Sequence, residues 1–131
     1  MPDNTTLTTH AIRPIPARDL LALYRTQEWW PDRTVAQLES ILATTPTIAA
    51  WHEDRLIGFA RAVTDGVLRA YLEDVIVAPG YRGQGLGSEL VRRLLDELRE
   101  IPVVSLFCGQ DLVPFYEAAG FRPTRQVVLH R

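Results

Sequence analysis

The chain has 131 residues, 47% of them hydrophobic, and a net charge of −2. That length suits one domain with a real core, and the charge balance lacks the basic footprint of a nucleic-acid binder. No apolar run approaches the ~20 residues of a membrane span, and the single cysteine rules out an internal disulfide or a cysteine-based zinc cluster.

Met1 to Thr9 is polar, threonine-rich and without a leader-like apolar stretch, so it reads as a flexible tail. Residues 10–131 read as a single domain, and a cytoplasmic protein is the expectation. His10 to Pro14 is read as a short first strand. Ala17 to Glu28 carries Leu20, Leu21, Leu23 and Tyr24 at helical spacing. Trp29 to Arg33 interrupts that pattern. Thr34 then has the character of an N-cap, and Leu38, Ile41 and Leu42 mark a second helix to about Thr44. Thr47 to Trp51 and Leu56 to Val63 are strand-like, joined by a polar turn at His52 to Arg55. Asp65-Gly66 marks the next turn, and Val67 to Val77 reads as a long strand ending before Pro79.

Tyr81 to Gly87 holds glycines at alternate positions, Gly83, Gly85 and Gly87, beside Arg82. Leu86, Leu90, Leu94 and Leu98 follow at every fourth residue, with Val91 and Leu95 beside them, which is one apolar stripe of a helix. The unit is strand, glycine-rich turn, helix. A helix start leaves backbone N–H groups unpaired and carries a partial positive charge. Glycine lets a phosphate approach the main chain, and Arg82 adds a planar donor fork. A phosphate or pyrophosphate ligand follows from that chemistry; a tight structural turn is the competing reading. Two familiar phosphate loops do not fit. The chain has no lysine, which the P-loop needs. The dinucleotide fingerprint wants an acidic residue about 20 positions downstream, where this chain has Phe107.

Val103 to Cys108 reads as a strand whose long crossover from Val77 suits a right-handed parallel βαβ unit. Leu112 to Ala119 is a short helix stopped by Gly120. Gln126 to His130 reads as a last strand.

Arg82-Gly83-Gln84-Gly85-Leu86-Gly87 resembles the Arg/Gln-x-x-Gly-x-Gly/Ala motif of the GNAT superfamily of acetyl-CoA-dependent N-acetyltransferases. Val77-Ala78-Pro79-Gly80-Tyr81 is similar to its lead-in, and Phe115-Tyr116-Glu117-Ala118-Ala119-Gly120-Phe121 to its F-Y-x-x-x-G-F. The resemblance implies an α/β fold: a mixed, mostly antiparallel sheet with helices on both faces, whose parallel fourth and fifth strands splay around the pantetheine arm. It implies acetyl-CoA as cosubstrate, an amine acceptor and no metal, and homodimerisation is common for such small domains. Gly58-Phe59-Ala60-Arg61-Ala62 resembles small bacterial and plant plastid members, which also favours an amine.

The same resemblance assigns cofactor binding to Val75, Ile76, Val77, Arg82, Gly83, Gln84, Gly85, Leu86, Gly87 and Ser88, with the Val77 N–H as oxyanion donor. Tyr116 matches the tyrosine that protonates the coenzyme A thiolate; a phenol, with an ordinary pKa near 10, can serve. Glu73 resembles the general base on the fourth strand, and Asp74 competes with it because a β-bulge is usual there. Either carboxylate could instead be structural. Trp29 and Trp30 lie in a segment that borders the acceptor pocket in this fold, or they seal the core or a dimer contact. Cys108 would allow a covalent acetyl-cysteine route, but no activating base is adjacent, so a buried structural thiol is expected. His10, His52 and His130 lack metal-ligand spacing. The function expected is direct acetyl transfer to a primary amine of a small molecule. The alternatives are a protein or peptide amine as acceptor, or a non-catalytic acyl-CoA-binding module.

Overall fold

The computed structural model describes residues 1–28 and 30–131. Its elements run β1 (Thr5–Thr9), α1 (Ala17–Tyr24), α2 (Val35–Thr44), β2 (Thr47–His52), β3 (Arg55–Thr64), β4 (Arg69–Val77), α3 (Leu86–Glu97), β5 (Val103–Leu106) and α4 (Val113–Ala118), the last entered through a 3-10 turn at Gln110–Leu112. The strands form one sheet in the order β1-β2-β3-β4-β5. The first three pairings are antiparallel and β4–β5 is parallel.

The helices lie on both faces. Phe59 packs against Tyr24 of α1, with ring centroids 6.1 Å apart. Its neighbour Gly58 faces α3, where an added Cβ would stand 2.9 Å from Leu90 Cδ1. Glycine there lets α3 settle directly onto the sheet. The two layers of core meet on these strands: Leu20, Tyr24 and Leu38 from one side, Leu86, Leu90 and Leu94 from the other, all essentially fully buried.

Local chemistry fixes the element ends. Thr34 and Gln37 form a reciprocal capping box that starts α2: Gln37 N–H donates to Thr34 Oγ1 at 3.2 Å and Thr34 N–H to Gln37 Oε1 at 3.0 Å. At the β3–β4 turn, Asp65 Oδ1 accepts from the N–H groups of Val67, Leu68 and Arg69. These bonds hold its carboxyl below the usual carboxylate range. Helix α1 stops at Tyr24 rather than Glu28, because the apolar stripe ends there. Thr26 and Gln27 close the helix with N–H bonds to Leu23 O and Tyr24 O.

Three terminal expectations are corrected. Thr5–Thr9, read as tail, is strand β1 on the free side of β2, with Leu7 opposite Ala50. Its threonines are polar but β-branched, and the ladder supplies what hydrophobicity does not. His10 to Pro14, read as the first strand, is instead the turn that follows β1. The segment Gln126 to His130 is not a strand; Val127 and Leu129 are exposed, and β-propensity without a paired neighbour does not make one. No helix among the described residues is long and apolar enough to cross a membrane.

Candidate active site

Strand β4 is irregular, as the β2–β3 ladder also is beside Ala50 and Trp51. Its ladder with β5 covers only Arg69 to Leu72, paired with Val103 to Leu106. Its ladder with β3 pairs Glu73 with Arg61 and then resumes at Ile76 with Phe59. Asp74 and Val75 together therefore oppose the single residue Ala60, which is a β-bulge. Asp74 carries the bulge's unusual backbone, with φ +55°. From this point β4 and β5 part. The splay expected between the fourth and fifth strands is present.

A cavity of about 540 Å³ opens where they part, lined by Val75 and Val77 of β4, Tyr81, Arg82, Gly83 and Gly85 of the loop, the first residues of α3, and Leu112, Phe115 and Tyr116. Sequence reasoning missed Tyr81, Leu112 and Phe115 as lining residues. Phe115 carried a signal as the neighbour of Tyr116, and Tyr81 as the last residue of the lead-in to the glycine loop. Two of the expected cofactor residues, Ile76 and Gln84, do not line this cavity. Ile76 is buried, sharing the Phe59 face away from the cavity. Gln84 is exposed and tied by Nε2 to Gly80 O at 3.3 Å.

The loop fits a phosphate-bearing ligand on its own geometry. Gly83 and Gly85 adopt φ +73° and +84°, and no atom lies within 4 Å of where a Cβ would stand on either. Gly85 is the N-cap of α3 and brings no side chain to its first-turn N–H groups. That leaves donors and the positive end of a 12-residue helix facing an open cradle. Arg82 is anchored beside it by Nε donating to Val77 O at 3.0 Å.

Main-chain direction follows from the ladder. Ala78 N–H donates to Ile57 O at 2.8 Å, so Ile57 and Ala78 form a hydrogen-bonded pair. In an antiparallel ladder such pairs alternate, which makes Gly58–Val77 the non-bonded pair. The Val77 N–H and C=O thus point away from β3, towards the side that β5 has left. The bond from Arg82 to Val77 O is made on that side.

Tyr116 lies in the cavity wall. Its ring meets Phe115 and Phe121 edge-on at 4.9 and 6.0 Å. Burial, with a smaller contribution from nearby Cys108, pushes its phenol above the ordinary tyrosine value. It therefore keeps its proton throughout the neutral range. Cys108 itself is exposed, correcting the expectation of a buried thiol. The ladder that would have enclosed it stops two residues earlier, at Leu106.

Glu73 lies across the strand from the cavity, half-buried, directly opposite Arg61. Burial pushes its carboxyl up, the Asp74 carboxylate adds to that, and Arg61 and Arg33 oppose it. Asp74 has a different environment. It is 9% exposed, and its Oδ2 accepts from Tyr24 Oη at 2.6 Å and Arg61 Nε at 2.7 Å. Trp30 is exposed, with the Arg33 guanidinium 4.3 Å from its ring centroid. Trp29 lies outside the described residues. No group of three or more potential metal ligands is present among the described residues.

A family model described as the acetyltransferase (GNAT) family matches residues 10–121. The chain is 37% identical over 106 residues to histone acetyltransferase TAP1 of Glycine max, covering 70% of this chain and 46% of that protein. It spans about half the length of the curated relatives it matches. A crystal structure from Deinococcus radiodurans R1 superposes with TM-score 0.82 at 36% identity, covering 98% of this chain and 90% of that one. The acetyltransferase, GNAT family protein SP0256 from Streptococcus pneumoniae TIGR4 superposes with TM-score 0.78 at 29% identity, covering 97% and 98% of the two chains.

Proposed function

The chain belongs to the acetyltransferase (GNAT) family, and from that premise we propose that it transfers an acetyl group from acetyl-CoA directly to a primary amine of a small molecule. The observation that carries this reading is the joined geometry of the splay: an uncapped glycine cradle at the start of α3, an outward Val77 N–H and the Tyr116 phenol share one cavity.

Acetyl-CoA supplies an activated acyl thioester. Arg82, Gly83, Gly85, Gly87 and the adjoining N–H groups hold its pyrophosphate, and Val75 and Val77 flank its pantetheine arm. Leu86 and Ser88 complete the wall at the helix start. The Val77 N–H donates to the carbonyl oxygen as negative charge develops there. Tyr116 donates the proton that the departing thiolate requires. Glu73 accepts the amine proton, directly or through a water, from the opposite side of β4. Trp30 borders the amine's approach, with Arg33 packed on its ring.

Glu73 as base has a definite pH signature. A base must be ionised, and its pKa lies above the ordinary carboxylate value. The rate should rise with pH along a limb centred above the ~4.3 of an unperturbed glutamate. Glu73→Gln should remove that limb and lower kcat by about 10²-fold. Following thiol release against pH for both proteins checks this. An unchanged limb in the variant would remove Glu73 from the mechanism.

A protein amine is the second reading, favoured by the name of the soybean relative. Turnover of a small-amine panel against a histone-tail peptide array distinguishes the two. Peptide turnover alone would overturn the small-molecule acceptor and leave the transferase chemistry in place.

A further inference from the structure

The bulge in β4 decides which groups face the cavity. Up to Glu73 the strand is in simple register, with Glu73 opposite Arg61. One extra residue is then absorbed, and Ile76 comes opposite Phe59 and Val77 opposite Gly58. Without it, Ile76 would pair with Gly58, every later side chain would change face, and the N–H left pointing out of the ladder would be that of Ile76. The outward Val77 N–H and the placement of Val75 and Val77 on the cavity wall are products of a single backbone irregularity.

That irregularity does not hold itself. Asp74 sits at φ +55°, a left-handed conformation that non-glycine residues keep only where their surroundings fix them. Two donors fix this one. Tyr24 reaches it from α1 and Arg61 from β3, and both bonds end on the same oxygen, Oδ2, at 2.6 and 2.7 Å. Tyr24 is fully buried. The Arg61–Asp74 ion pair is nearly so, with side chains 13% and 3% exposed. Arg61 is also the residue directly across from Glu73. One guanidinium thus touches the bulge and faces the proposed base.

We propose that Tyr24, Arg61 and Asp74 are positioning residues, a buried clamp that holds the β4 bulge and thereby places Glu73 and the Val77 N–H for acetyl transfer. The clamp rests on the function proposed above. It removes Asp74 from the candidate bases: its carboxylate is committed to two donors in the core, and it acts through the backbone that it fixes.

The test is a kinetic comparison of the wild-type protein with Tyr24→Phe and Arg61→Met. Melting temperature and coenzyme A affinity are measured alongside. Tyr24→Phe keeps the ring and deletes one bond to Asp74. It should lower kcat by about 10-fold while leaving KM for acetyl-CoA within about 2-fold. Arg61→Met removes the cation that faces Glu73. The remaining charged groups acting there are Asp74 on β4, which raises its pKa, and Arg33 from the α1–α2 connection, which lowers it. The acidic limb of the rate profile should therefore move to higher pH. If Arg61→Met does not fold, Tyr24→Phe carries the test through its kcat-to-KM split. A lower melting temperature with wild-type kcat, KM and limb position would overturn the clamp and leave the transferase reading intact. A wild-type protein that turns over no amine would instead overturn the proposed function, and the clamp's role in transfer with it.

Discussion

Replacing Tyr116 by phenylalanine should lower kcat by about 10²-fold or more, with coenzyme A affinity and melting temperature close to wild type. The ring's packing survives the change, since phenylalanine keeps the ring that meets Phe115 and Phe121 edge-on. What is lost is a proton donor. Burial raises the phenol's pKa above its ordinary value near 10, so the wild-type group is protonated across the working range. No limb from Tyr116 should appear below that value in the wild-type rate profile. Pre-steady-state acetyl transfer and equilibrium binding separate chemistry from affinity. Unchanged turnover in Tyr116→Phe would assign leaving-group protonation to solvent.

Gly85→Val should weaken coenzyme A binding by about 30-fold or more, and it should also lower stability slightly. A β-branched residue at φ +84° costs about 1–2 kcal/mol of backbone strain, which a modest fall in melting temperature would report. The larger effect is steric. The space beside Gly85 is open in the protein alone, so the valine side chain would stand in the cradle that the phosphates are proposed to enter. Titration calorimetry with coenzyme A measures the loss. Equal affinity in wild type and variant would show that the phosphates sit elsewhere.

The parts of this site that were legible from residues alone are those governed by local chemistry. Alternate glycines beside an arginine, ahead of a four-residue leucine repeat, specify a turn into an amphipathic helix with an anion-friendly start, and α3 begins at Leu86. Thr34 announced its cap in the same way, and the structure adds Gln37 to it. What stayed hidden depends on partners distant in sequence. Asp74 and Glu73 are adjacent carboxylates, and nothing local distinguishes them. The distinction comes from Tyr24, fifty residues away, and from Arg61 on the neighbouring strand. Cys108 ends an apolar run and so reads as buried. Its exposure goes with the early end of the β4–β5 ladder, at Leu72 and Leu106. Strand β1 reads as a polar tail because its stability lies in main-chain pairing with β2, to which hydrophobic patterning is blind.

The proposed function requires the splay between β4 and β5 to receive acetyl-CoA through the α3 cradle. Thermal unfolding in the presence of acetyl-CoA, coenzyme A and NAD in parallel tests it most directly. A ligand at 100 times its Kd adds about 2.7 kcal/mol to stability. Acetyl-CoA and coenzyme A should each raise the melting temperature of the wild-type protein, Gly85→Val should lose most of that shift, and NAD should give none. Stabilisation by NAD, or no response to either thioester or free coenzyme A, would contradict the account.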